Sequence, residues 1–136
     1  MCNGNCIFCK IIKGDIPSYT IYEDDEFKVI LDVGPVAKGH ALILPKDHYE
    51  NFYEIPEDLA VKAFKLAKKL MVKITDALGC DGFNILQNNK EAADQTVPHY
   101  HMHLIPRYEG GQKLFAYTPL ELSKEEQEEV LKKIKG

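Results

Sequence analysis

The sequence predicts an α+β domain: a five-stranded, mainly antiparallel sheet with one long helix and short helices near either end. Three observations lead there. Five short apolar stretches sit between clusters of turn residues, which is the pattern of strands. One stretch, Glu57 to Leu78, repeats apolar residues every three or four positions instead. The order is strands, long helix, strands, short helix, not the strand–helix alternation that builds a parallel sheet. At 136 residues the chain is one domain, residues 1–136, with no repeat or linker. Apolar residues at 45% and charged residues at 28% exclude disordered and collagen-like classes.

Taken in order, Ile7 to Lys13 predicts a short helix that Gly14 and Pro17 end. Thr20 to Glu23 and Phe27 to Asp32 read as strands around the charged turn Asp24-Asp25-Glu26. His40 to Pro45 is a third, closed by a proline that cannot donate to a ladder. In the long helix Leu59, Ala63, Leu66, Leu70 and Ile74 form the core stripe. Pro56 suits its first position, Glu57 and Asp58 its positive end, and Gly79 its stop. Ala60, Ala67 and Met71 read as a second apolar edge open to a partner. Gly82 to Gln87 is a fourth strand and His99 to Pro106 a fifth, joined by a polar loop, Asn88 to Gln95. Ser123 and Glu126 form a capping box ahead of Val130, Leu131 and Ile134, with Glu125 to Glu129 as a solvated face.

Seventeen basic against 21 acidic residues leave a net charge of −4, which argues against nucleic-acid or anionic-membrane partners held by bulk charge. No apolar run approaches the roughly 20 residues that span a bilayer, and the start lacks the form of a secretory signal. The expected location is the cytoplasm.

Three of the five histidines, His99, His101 and His103, fall within five residues. On a strand their side chains share a face, with Tyr100, Met102 and Leu104 on the other. Such a row can be a solvated face, a three-histidine catalytic metal site, or a nucleophile with its neighbours orienting it. Gln95, Thr96 and Asn88 nearby offer uncharged hydrogen bonds that suit phosphate oxygens and a leaving group better than a metal. That favours the nucleophile.

His99-Tyr-His-Met-His-Leu-Ile resembles the alternating signature of the histidine triad (HIT) nucleotide hydrolases and transferases. Further blocks match along nearly the whole chain: Cys6 to Ile12, Ile16-Pro17, Tyr22 to Asp25, Gly39 to Lys46 and Gln95 to His99. The resemblance implies the fold above, a homodimer built through the long helix and a sheet edge, and a purine nucleotide substrate. It implies that His101 attacks the α-phosphorus, that His103 binds the α-phosphate, and that His40 stands behind them. Gln95 and Thr96 match positions contacting the phosphate or leaving group, Asp32 one that accepts from the ribose, and Asn88 a substrate-binding amide. Ile7, Phe8, Ile11, Ile30 and Leu42, most simply core, are the expected walls of a base pocket. Where the family usually has glycine before the glutamine, this chain has Asp94, whose carboxylate either repels an anionic substrate or points outward. The expected activity is hydrolysis of nucleoside 5′-phosphoramidates or dinucleoside polyphosphates through a nucleotidyl-histidine. A metal-dependent hydrolase using all three triad histidines and a non-catalytic nucleotide-binding module are the alternatives.

Cys6-x-x-Cys9 alone is a redox pair, half of a metal site, or incidental. No strand precedes it, which disfavours the redox arrangement. Zn²⁺ needs two further ligands, and histidines are the natural supply. Carried over from Cys-x-x-Cys-bearing relatives, the resemblance implies a structural zinc held by Cys6, Cys9, His48 and His99, with Cys2 as a possible substitute. Cys80 reads as a small packed residue and Arg107 as a surface cation.

Overall fold

The computed structural model describes residues 4–136; Cys2 lies outside the described residues. The elements are α1 (Ile7–Lys13), β1 (Thr20–Glu23), β2 (Phe27–Leu31), β3 (Ala41–Pro45), α2 (Glu57–Leu78), β4 (Gly82–Gln87), a short 3₁₀ turn (Glu91–Ala93), β5 (Met102–Arg107) and α3 (Lys124–Lys135). The five strands form one sheet in the order β1-β2-β3-β5-β4, and every adjacent pair is antiparallel. The predicted α+β class is the observed one.

Period-two alternation divides the core between the two faces of the sheet. Phe27 and Val29 of β2, Ala41 and Ile43 of β3, and Met102 and Leu104 of β5 pack with the apolar stripe of α2. Ile30, Leu42 and Leu44 point the other way, onto Cys6, Phe8, Cys9 and Ile11 around α1. Strand β3, buried at all five positions, is covered on both sides. That explains its unbroken apolar run.

Four expectations change. Strand β5 begins at Met102, so His99 and His101 precede the ladder. Segment 97–101 leaves the sheet because its amides bond elsewhere: the His99 N–H donates to the Val97 carbonyl, and that of Tyr100 to Tyr49. Pro56 caps α2 from outside, with ψ 144, and is not its first residue. Ala60 and Ala67 are 7% and 0% exposed and belong to the core. The outward apolar edge of α2 is instead Val61, Phe64 and Val72, each at least half exposed. Ile7, on the first turn of α1, is 48% exposed and not core. The capping box on α3 is present, and the whole helix is exposed. Cys80 is half-buried, its thiol donating to the Thr75 hydroxyl at 3.4 Å.

Gly39 occupies a place that only glycine fits. Its φ is +87, and a Cβ there would stand 2.4 Å from Leu78 Cδ1 and 3.2 Å from Pro106 Cγ. The missing side chain lets the turn into β3 lie against the end of α2.

Candidate active site and metal centre

The histidines keep their alternation past the end of the ladder. Tyr100 and Met102 are fully buried toward α2, while His99 and His101 face the α1 side. Which nitrogen of each ring carries the proton follows from its partners. Nδ1 of His101 lies 2.8 Å from the His99 carbonyl, which can only accept, so Nδ1 donates and Nε2 keeps a lone pair. At His40, Nδ1 accepts from the Val36 N–H at 3.2 Å, leaving the proton on Nε2. That Nε2–H reaches His103 Nδ1 at 2.9 Å, so His103 carries its own proton on Nε2. The His101 and His103 rings lie 5.0 Å apart, centre to centre.

Burial keeps all of these rings neutral near pH 7. It pushes His101 below the ordinary imidazole value against the opposing pull of its carbonyl bond and Asp32. His103 falls to about 4, through burial and its neighbours His101 and His40. His40 is lowered by burial although Asp32 opposes the shift. The 3.6 Å approach of His40 Nε2 to Asp32 Oδ2 is therefore a contact of a neutral ring with a carboxylate, not an ion pair. The other Asp32 oxygen accepts from the Gly34 N–H at 2.8 Å.

A cavity of about 510 Å³ opens beside these rings, within the ordinary range for small-ligand sites. Asp32, His40, Asn88, Thr96 and His103, all expected from sequence, line it. His101, 5% exposed, lies next to His103 with the Phe8 ring edge-on at 5.1 Å. Phe8, Ile11, Ile30 and Leu42 gather in the apolar cluster under α1, and the exposed Ile7 stands apart from them.

Gln95 is not brought to the histidines. Its carbonyl oxygen takes the Lys90 N–H, and its amide donates to the carbonyls of Glu50 and Val97. It faces a neighbouring cleft, whereas Thr96 lines both cleft and cavity. Asp94 adopts φ 67, a left-handed conformation in which glycine is free and aspartate is tolerated. The backbone thus accounts for the position where the family usually has glycine.

Sequence reasoning missed Leu114 and Phe115 on the cavity wall. They arrive on an irregular segment tied back by Gln112, whose amide donates to the Val36 carbonyl at 2.9 Å. Arg107 holds the Gln112 carbonyl and, at 2.8 Å, Asn84 Oδ1. It is a half-buried strut, not the surface cation expected. No local pattern in the sequence marks this return of the chain.

The second cluster joins Cys6, Cys9, His48 and His99. Nδ1 of His99 lies 3.4 and 3.5 Å from the two sulfurs and 3.2 Å from His48 Nδ1, and His48 Nδ1 lies 3.3 Å from Cys9 Sγ. A tetrahedral zinc, with bonds of about 2.3 Å to sulfur and about 2.0 Å to nitrogen, requires ligand separations of roughly 3.3–3.7 Å. These four separations, 3.2–3.5 Å, lie within that range or 0.1 Å below it, and all four donor atoms lie within 4.8 Å of one another. Nε2 of His99 donates to the Pro45 carbonyl at 2.9 Å, turning the Nδ1 lone pair toward the sulfurs. These residues could hold a metal ion.

Asp32, His40 and His103 also lie within ligand distance of one another. Their protons do not fit a metal: to ligate through Nε2, His40 would need its proton on Nδ1, against the Val36 N–H. Nor do the three triad histidines converge on one point, because His99 turns to the cysteines and His101 to a carbonyl. The three-histidine metal hydrolase is thereby set aside.

A five-stranded antiparallel sheet with an alternating histidine segment and a neutral imidazole chain beside a cavity defines a histidine-triad class of protein. The HIT domain family model matches residues 13–110, and the chain belongs to that family. It is 47% identical over 131 residues to an uncharacterized HIT-like protein of Methanocaldococcus jannaschii, covering 96% of this chain and 99% of that one. To the protein named hit of Bacillus subtilis it is 51% identical over 110 residues, 81% of this chain and 76% of the relative. An adenosine 5′-monophosphoramidase of Saccharomyces cerevisiae is 45% identical over 102 residues, 75% and 62% of the two chains. Among solved structures, a Streptococcus mutans protein superposes with a TM-score of 0.92 at 35% identity, covering 98% of this chain and 85% of the other. A zinc-bound histidine triad family protein of Mycobacterium smegmatis gives 0.77 at 36% identity, covering 85% and 84%. Cys6 and Cys9 of the candidate metal cluster precede the matched family segment.

Proposed function

We propose that the protein hydrolyses purine nucleotides at the α-phosphorus, cleaving nucleoside 5′-phosphoramidates or dinucleoside polyphosphates through a covalent nucleotidyl-His101. The observation that carries this reading is the direction of protons in the triad. His101 keeps a lone pair on Nε2 while its other nitrogen is tied to a carbonyl, and the neighbouring His103 offers a donor. A neutral imidazole so oriented is a competent nucleophile at pH 7.

For a phosphoramidate, the His101 Nε2 lone pair forms a bond to phosphorus. The P–N bond breaks with its electron pair on nitrogen, which takes up one proton and departs as an amine. Water then attacks phosphorus, the His101–phosphorus pair returns to Nε2, and the proton consumed in the first step is released. The Nε2–H of His103 donates to a non-bridging oxygen throughout. Asp32 accepts from the ribose hydroxyls, Asn88 and Thr96 contact the phosphate side, and Phe8, Ile11, Ile30 and Leu42 wall the base. The yeast phosphoramidase among the relatives supports the phosphoramidate arm, and the Cys6-x-x-Cys9 motif leans the same way. Pro106-Arg107 after the triad leans toward the polyphosphate arm.

Cys6, Cys9, His48 and His99 would hold a structural Zn²⁺, which supplies a cross-link between α1 and the triad segment and no reaction chemistry. The exposed α2 edge and β4, whose Ile85 is 41% exposed, are the surfaces for a homodimer. Among the described residues no helix is long and apolar enough to cross a membrane. The proposed location is the cytoplasm. The test is a rapid acid quench during turnover of a radiolabelled AMP phosphoramidate. Label bound to a peptide containing His101 is expected; label on no residue, with turnover intact, overturns the covalent route.

A further inference from the structure

We propose that Asp94 selects the leaving group, favouring a nucleotide amide whose departing amine bears a further positive charge over one whose leaving group is anionic. The inference rests on the hydrolase reading and names a substrate class within it. The P–N cleavage is the one written above; what Asp94 adds is a fixed charge on the wall of the cavity and cleft through which the amine would depart.

Asp94 lines the cavity that holds His103, and the same residue turns into the adjoining cleft. Its backbone is held at φ 67 by the loop, and Asn88 Nδ2 donates to its carbonyl at 3.4 Å. Its carboxylate has no hydrogen-bond or ion-pair partner among the described residues. No lysine or arginine lines the cavity, whose only other formal charge is Asp32. The nearby cations are engaged elsewhere: the Lys90 ammonium sits 4.6 Å over the Tyr53 ring, and Arg107 is tied to Asn84 and Gln112. Beyond Asp94 the adjoining cleft adds Glu50 and Glu91 against Lys90 alone.

A polyphosphate leaving group would thus meet a carboxylate with no compensating cation. A diamine or lysine-like amine would meet an unpaired opposite charge. At a half-solvated site a unit charge several ångströms away is worth about fivefold in rate or affinity at low salt.

The experiment compares three adenosine 5′-phosphoramidates of similar length, made with 1,3-diaminopropane, butylamine and β-alanine, so that the far end of the amine is cationic, neutral or anionic. The readout is the ratio of kcat/KM for the cationic to the anionic compound in wild type, Asp94→Asn and Asp94→Gly, both of which tolerate the positive φ. A wild-type ratio of about 25, compressed at least fivefold in both variants and by 0.5 M salt, is expected from two such charge steps. A wild-type ratio near one, or one unchanged in both variants, overturns the proposal. The dissociation constants of the same compounds for His101→Ala, with and without Asp94→Asn, separate the two readings. Charge-ranked binding erased by Asp94→Asn, with no turnover in wild type, refutes the hydrolase and keeps the selection by Asp94. Binding without charge ranking refutes Asp94 whatever the turnover.

Discussion

The two histidine clusters use the same side chain to opposite ends, and the partner of the far nitrogen decides which. At His99 the far nitrogen donates to a carbonyl, so the near one turns its lone pair on two sulfurs and His48. At His40 the far nitrogen accepts from an amide, so the near one carries a proton toward His103. Lone pairs converge in the first cluster, as a cation requires. In the second, His40 donates its proton to His103, and the bond occupies both facing nitrogens and leaves no position for one. His101, two residues from His99, again donates to a carbonyl but faces Phe8 and His103 instead of thiols. Its Nε2 lone pair has no hydrogen-bond partner among the described residues, as the proposed attack on phosphorus requires.

The sharpest way to break the comparison is to delete one nitrogen from each side. His101→Ala is expected to reduce kcat/KM by roughly 10⁴-fold or more, as removal of a nucleophile does. Circular dichroism should show the fold retained and metal analysis the metal content unchanged. An activity loss under tenfold would mean that another group attacks phosphorus.

Disrupting the metal cluster should do the reverse, acting on stability first. Chelation, or Cys9→Ser, is expected to lower Tm by on the order of 10 °C, because ligand binding to the folded state adds to folding free energy. Metal content should fall from one ion per chain to none in Cys9→Ser and stay at one in His40→Asn. An unchanged Tm after complete chelation would leave the cysteines without a structural role.

Acid sharpens the contrast further. His103 is held at about 4 in the fold against an ordinary value near 6.5. Between those values the unfolded chain binds the proton and the folded chain does not. Stability is therefore full above pH 6.5 and declines as the pH falls toward 4. The contribution is up to about 3 kcal/mol for this ring, reduced by its partial exposure. Urea unfolding at pH 7 and pH 5 should show wild type losing more than His103→Asn; equal losses would place the titration elsewhere.

How much of this was legible beforehand follows from the range of the interactions. The helix stripe, the strand alternation and the shared face of the triad are periodic, and period is local, so α2, β4 and the orientation of the histidines could be read directly. The end of β5 could not be. It is set by Tyr49 and Val97 taking the amides of Tyr100 and His99, a competition between partners that no pattern displays. Ala60 and Ala67 looked available because alanine is compatible with either face of a helix; the width of the sheet beneath decides. Gln95 carried the right chemistry for a phosphate but is bound by its own loop. Leu114 and Phe115 reach the cavity through contacts of Arg107, Gln112 and Val36 that span much of the chain.

The smallest effect concerns the residue between the two functional histidines. Tyr100 points to the other face, is completely buried, and its hydroxyl is the one buried side-chain polar atom without a hydrogen-bond partner among the described residues. Burial raises its pKa to about 12, so it is a neutral, unpaired dipole in an apolar cluster. Desolvating a hydroxyl without a partner costs about 1–3 kcal/mol, partly offset by the packing of its ring. Tyr100→Phe keeps the ring and removes the dipole. It is expected to leave kcat/KM within about twofold and stability unchanged or raised by about 1 kcal/mol. A loss of stability beyond 1 kcal/mol would mean that the hydroxyl is satisfied in solution, and that this face of the segment holds a polar contact of its own.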